Sequence, residues 1–543
     1  MRAPRPAVVL AALAGLGIGA CGGSLYDEAG VPKVANGNSC NPDTQHLCAA
    51  TGPVCQANTD PDHCGAACDV CPAAPAGSAR ACVKGAGGVY ACGFTCVAPA
   101  RFCATQNLCL EQSVAACGDT CQVCPAAPPN GTAVCADQGG GSFGCDFTCA
   151  AGFFKTATGC VRPAAVATGA NHTCAIVEGG GLFCWGDNTA GQLGHAGAGG
   201  TTPAQVFAGG VVTAVAAGAQ HTCAVHDGVV KCWGANGSGQ LGRGTTGASD
   251  PAPAPVAGSL PNVIQVVAGL GHTCARTSAG AVRCWGANGA GQVGSGSLSA
   301  SVPSPSATAA IASGATLIST FGSTTCALLS GQIRCWGANG SGQTGKGGAV
   351  SAAEPTPVVV AGLPAPIAPP LGLLGLAVGN AHACALVSGA SGTKKDGLWC
   401  WGDNASHELG DGGIAPSPAL APVQATVLDN QARLDGLLGA GAAHTCASRA
   451  LEVSFKCAGK NDDFQAGVAL APGPIADAAD VVPGGQLLSI SGGGAHTCAL
   501  VDLAVAPATG QPAIKCWGRN AEGQLGRATS PAGSSTGVPE LAP

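Results

Sequence analysis

Residues 221–242 read HTCAVHDGVVKCWGANGSGQLG, and the fold follows from how this stretch has to turn. Asp227-Gly228 suits a two-residue type I′ hairpin turn, because both central residues of that turn take positive φ. Folding about it sets His226 opposite Val229, Val225 opposite Val230, Ala224 opposite Lys231 and Cys223 opposite Cys232. Such a fourth pair is a non-hydrogen-bonded one, with Cα atoms ~4.5 Å apart, within reach of a disulfide. The segment reads as a hairpin with a cross-strand staple.

Copies of it recur to the end of the chain. Their cysteines pair as Cys174 with Cys184, Cys223 with Cys232, Cys274 with Cys284, Cys326 with Cys335, Cys384 with Cys400, Cys446 with Cys457 and Cys498 with Cys516. Trp185, Trp233, Trp285, Trp336, Trp401 and Trp517 follow the second cysteine, and the sixth copy has Ala458 there. Asn188, Asn236, Asn288, Asn339, Asn404, Asn461 and Asn520 stand three residues past that position. Second cysteines are 48 to 65 residues apart, the spacing of a four-stranded unit with variable loops.

Composition agrees with many short strands. The 543 residues include 88 Gly and 37 Pro, with only 4% aromatic side chains. Charge is sparse at 10% with a net of −6, so there is no basic footprint for nucleic acid. Of the 33 cysteines, one is Cys21, eighteen lie between Cys40 and Cys160, and fourteen form the seven pairs. Numbers like these imply disulfides and an oxidising compartment.

The N-terminus points the same way. Arg2 and Arg5 precede an apolar run from Ala7 to Ala20, too short for a membrane span but suited to a signal peptide over 1–20. Ile18-Gly19-Ala20-Cys21 resembles the bacterial lipobox, which implies acylation of Cys21, with a tether over 21–39. Residues 40–163 then hold a duplication of period 53: Cys64, Cys68, Cys71, Cys82, Cys92 and Cys96 return as Cys117, Cys121, Cys124, Cys135, Cys145 and Cys149. Clusters such as Cys-x3-Cys-x2-Cys invite zinc, but His63 has only Ala116 as its counterpart. Disulfides are the preferred reading, since modules of this size bury too little apolar surface to fold unaided. Their connectivity stays open, with Cys40 and Cys160 left as outer partners.

From 164 to 543 the order is Gly-x-x-His-Thr-Cys-Ala, a Gly turn, Cys-Trp-Gly-x-Asn, Gly-Gln-Leu-Gly, a Pro-containing strand and an apolar strand. This resembles the regulator of chromosome condensation repeat family in its bacterial exported form. The resemblance implies an all-β, seven-bladed β-propeller, here preceded by the small disulfide-rich duplicated domain. Closure is expected from both ends, with Thr536 to Leu541 supplying a strand that the first copy lacks.

His172, His221, His272, His382, His444 and His496, with Thr324 in the remaining copy, suggest an axial metal. They read instead as structural residues bonding a loop of their own blade, so no metal and no cofactor is expected. No His-Glu-x-x-His or Walker sequence is present, so no catalytic residue is assigned and the chain is read as no enzyme. Long insertions in the fifth and seventh hairpins place Lys394, Lys395 and Asp396 as binding candidates. The expectation is a monomeric, exported, lipid-anchored scaffold for a protein or surface polymer, with an enzyme inhibitor or adhesin as the alternative. Guanine-nucleotide exchange is disfavoured outside the cytoplasm.

Overall fold

In the computed structural model, the hairpin of residues 221–242 has the register read from its sequence, with Cys223 opposite Cys232 and His226 opposite Val229. Asp227 and Gly228 have φ of 50° and 76°, the I′ pattern. The structure describes residues 8–9, 45–48, 54–57, 70–71, 73–74, 78–84, 90–96, 100–103, 108–118, 121–139, 142–150, 152–305, 309–363, 373–387, 397–412, 418–426, 428, 437–448, 454–467, 475–481, 485–502, 512–526 and 530–534. They fall into two compact units, 1–149 and 150–543.

The second unit is a ring of seven four-stranded antiparallel sheets. Blades 1 to 7 span 163–205, 212–255, 263–302, 315–359, 373–424, 438–481 and 486–534. In each, the first strand lies innermost, the second and third strands form the stapled hairpin, and the fourth strand, Pro-containing in five of the seven blades, lies outermost. Blade 2 shows why. Strand His221–His226 is buried at every position, because each sheet has a neighbour on both faces and alternate side chains serve alternate neighbours. Thus Val212 and Val215 pack with blade 1, while Ala216 and Val225 pack with blade 3.

All seven disulfides form within blades, in the pairs read from the sequence. Cys174 is bonded to Cys184, Cys223 to Cys232, Cys274 to Cys284, Cys326 to Cys335, Cys384 to Cys400, Cys446 to Cys457 and Cys498 to Cys516. Their Cα atoms are 4.0–4.1 Å apart, closer than the ~4.5 Å of an unbridged pair of this kind.

Ring closure differs from expectation. Blade 1 is continuous from Pro163–Thr168 to Gly200–Gln205, and blade 7 ends on its own Ser530–Ser534. The fourth strand belongs to the blade whose Cys-Trp-Gly strand precedes it, so among the described residues no strand is borrowed from the far terminus; residues 536–541 lie outside the described residues. The ring is joined by side chains and turns instead: Thr168 Oγ1 lies 2.8 Å from Ser491 Oγ, and Gly494 N donates to Gly169 O at 3.1 Å.

In the first unit the duplication is visible as two hairpins, Ser78–Lys84 with Tyr90–Cys96 and Gly131–Gly139 with Ser142–Cys149. The bridge Cys71–Cys92 recurs 53 residues on as Cys124–Cys145, beside Cys96–Cys109 and Cys117–Cys135. Cys135 and Cys145 face each other across their hairpin, yet each bridges elsewhere, the opposite of the propeller arrangement. The sulfurs of Cys117, Cys124 and Cys145 converge within 4.8 Å, and all three are committed to disulfides.

Peptide mapping without reductant should recover the seven pairs within blades, with no free thiol among the fourteen cysteines. Replacing Cys223 and Cys232 by alanine should cost about 2–3 kcal/mol in denaturant unfolding, the entropic value for so short a loop.

Candidate functional site

The polar residues that recur in every copy meet between blades. Thr222 of blade 2 donates its hydroxyl hydrogen to Gln192 O of blade 1 at 2.8 Å, and Trp233 Nε1 donates to the same oxygen at 2.9 Å. Thr222 Oγ1 also lies 2.8 Å from His172 Nε2 of blade 1. Its one hydrogen is already given, so the imidazole must donate, which fixes the tautomer. This seam is therefore a chain from imidazole to hydroxyl to carbonyl, with an indole sharing the acceptor.

The pattern runs round the ring. His221, His272, His382, His444 and His496 lie 2.7–3.0 Å from Thr273, Thr325, Thr445, Thr497 and Thr173 of the next blade. Trp285, Trp336, Trp401, Trp517 and Trp185 donate to the carbonyls of Gln240, Gln292, Gln343, Gln465 and Gln524 of the preceding blade. The sequence reading that kept each histidine's partner inside its own blade is thus corrected. The carbonyl oxygen faces the neighbouring sheet because the Asn of the same turn holds it: Asn188 Oδ1, for example, accepts from Leu193 N at 2.9 Å.

Two seams depart from the pattern. Between blades 4 and 5, Thr324 replaces the histidine and Ala383 replaces the threonine it would meet. Phe321 also replaces the glycine three residues before the histidine. That glycine is required elsewhere because a Cβ on Gly169, Gly218, Gly269, Gly379, Gly441 or Gly493 would fall 2.1–2.5 Å from the imidazole Cε1; with no imidazole, the larger residue fits. Between blades 5 and 6, Ala458 removes the indole, and Leu428, 2% exposed, joins the cluster around it. In the same seam Glu408 takes the place of the turn glutamine.

None of these groups is free for chemistry. Burial holds His172, His272 and His444 down to about 4 and His221, His382 and His496 down to about 3, so all six are neutral. Their Nδ1 atoms are buried without a partner, each imidazole edge lying against its turn glycine, where a metal ion has no room. The innermost strands enclose a channel of about 350 Å³ lined by residues such as Val215, Val267, Leu317, Ser319 and Ser491, with no charged side chain among its lining residues. Burial pushes the Glu408 carboxyl up to about 7, the N–H of Ser406 opposing and the charge of Asp403 adding to the rise. In blade 1 the equivalent Gln192 Nε2 donates to Asp187 Oδ2 at 2.9 Å; a protonated Glu408 can donate in the same way. This substitution was missed in the sequence, where His-Glu-Leu-Gly among copies of Gly-Gln-Leu-Gly was the signal. Cys21, Lys394, Lys395 and Asp396 lie outside the described residues.

Residues 164–192, 212–240 and 263–292 match one family model of the Regulator of chromosome condensation (RCC1) repeat. Residues 179–225 and 227–276 match a second model of the same description. Among solved structures, yeast RCC1 (Prp20), solved with Kap60 bound to it, is similar at a TM-score of 0.52 and 19% identity, over 61% of this chain and 78% of that one. Human WBSCR16 is similar at 0.50 and 17%, over 68% and 92%. At these identities the likeness is one of fold.

The neutral histidines set an acid limit. Native imidazoles bind fewer protons than unfolded ones below pH 6.5, so stability is complete above that value and falls as pH drops toward 4. Melting temperatures should decline over this range, and His221→Gln should flatten the pH dependence by up to about 1.4 kcal/mol per pH unit. Glu408 acts in the other direction. Its raised value gives stability that is complete below pH 4.5 and lost as pH rises to 7, so Glu408→Gln should exceed the parent by up to about 3 kcal/mol at pH 8 and match it at pH 4.5.

Proposed function

From a propeller that belongs to the regulator of chromosome condensation repeat family, we propose that the chain is a non-catalytic protein-interaction scaffold acting outside the cytoplasm. The observation that carries this reading is the commitment of the recurring His, Thr, Trp and Gln residues to the seams, which leaves recognition to exposed loops. Fold alone does not give a function. Seven intrablade disulfides support an oxidising compartment, and the segment up to Cys21 supports export with a lipid tether. A yeast relative solved with a protein bound to it supports a propeller that engages another protein.

Partner recognition belongs to the insertion of the fifth hairpin, with Lys394, Lys395 and Asp396 as its charged residues. The partner is a protein or a surface polymer. Capture experiments with the full oxidised chain should lose the partner when 388–397 are deleted, with melting of the propeller unchanged. Equal capture by the deleted and intact chains would count against the loop, and stoichiometric capture of one soluble enzyme would make the protein an inhibitor.

A further inference from the structure

Blade 5 is held differently from the other six. Five seams carry both the imidazole–hydroxyl bond and the indole–carbonyl bond. Of these two bonds the seam between blades 4 and 5 keeps the indole one, Trp401 Nε1 to Gln343 O at 2.9 Å. Of these two bonds the seam between blades 5 and 6 keeps the imidazole one, His382 Nε2 to Thr445 Oγ1 at 2.9 Å. Both half-locked seams flank the same blade.

The outer edge of the second seam is altered as well. In blades 1, 2 and 3 the first glycine of the Gly-Gln-Leu-Gly turn lets a proline lie directly on the backbone: a Cβ on Gly191, Gly239 or Gly291 would fall 2.6–2.7 Å from Pro251, Pro303 or Pro355. Blade 5 has His407 there, held at φ 62°, a left-handed conformation that costs a non-glycine residue about 1–2 kcal/mol. Phe464 stands at the same turn position of blade 6 with φ 63°, so it is the pair of half-locked seams that sets blade 5 apart. Apolar contacts such as those of Ala383 in the cluster with Cys326 and Cys335 of blade 4 exclude water but have no preferred direction, whereas the hydrogen bonds they replace fix one sheet against the next. Within the blade, Cys384–Cys400 ties the two central strands together, so the hairpin cannot fray strand by strand. Motion that the seams permit must carry the blade as a body.

We propose that blade 5 is the compliant element of the ring, a stapled sheet that shifts between two half-locked seams while the other six blades stay fixed. Local opening of this kind is read by amide exchange.

Hydrogen exchange of the oxidised full chain should show strands His382–Val387 and Gly397–Gly402 exchanging at least tenfold faster than His221–His226 and Val229–Asn236 of blade 2. Thr445→Val and Thr273→Val remove the same hydroxyl from equivalent seams. The first should accelerate exchange throughout blade 5, because no indole bond remains between blades 5 and 6. The second should act weakly, because Trp285 still holds blades 2 and 3 together. Equal exchange of blades 2 and 5 in the parent, or equal effects of the two substitutions, would overturn the proposal.

Discussion

A backbone carbonyl buried between two sheets needs a donor, and the structure of the propeller is built on supplying it from the neighbouring blade. Gln192 O, Gln240 O, Gln465 O and Gln524 O each receive a threonine hydroxyl and an indole N–H across the seam. An unsatisfied buried acceptor would cost about 1–3 kcal/mol, so each blade is incomplete without the next. Apolar packing draws the sheets together, but the seam bonds set their register. The imidazole completes the arrangement by saturating the threonine oxygen, and its bulk forces glycine into the turn beneath it.

This constraint explains which parts could be read from the sequence. The hairpin register and the seven cysteine pairs, from Cys174 with Cys184 to Cys498 with Cys516, follow from local turn chemistry, since both partners sit within one short stretch. Partners across a seam are 50–63 residues apart, and 323 apart where the ring closes, and a periodic sequence does not say whether His172 meets Thr173, Thr222 or a loop. Breaks in the period carry that information. Phe321, Thr324 and Ala383 depart together, two in one copy and one in the next, and only a contact between successive blades links them. The assignment of the Pro-containing strand failed for a related reason: a repeating pattern has no intrinsic starting point, and only the pairing of Cys184 with Ala204 places that strand at the end of its own blade.

The two cysteine systems do different work. In the propeller, each disulfide joins residues already opposite each other, so it stiffens a hairpin without constraining how blades meet. In the duplicated module, Cys135 and Cys145 lie opposite yet bridge away to Cys117 and Cys124, tying a hairpin to the chain before it. A small domain without a large core needs such long-range links, whereas a ring with two apolar faces on every sheet does not.

Division of labour between staple and seam also governs where the ring can vary. A seam member cannot be lost alone: threonine without imidazole leaves a hydroxyl oxygen short of a donor, and imidazole without threonine leaves a buried N–H without an acceptor. Losing both together is nearly neutral, as between blades 4 and 5, where Thr324 and Ala383 stand in place of the pair. The indole is different, because Leu428 can take up apolar volume in the seam where Ala458 stands. Substitutions that preserve satisfaction while discarding direction therefore accumulate without unfolding the ring. Their effect falls on relative motion of the sheets, and both sets of them border blade 5.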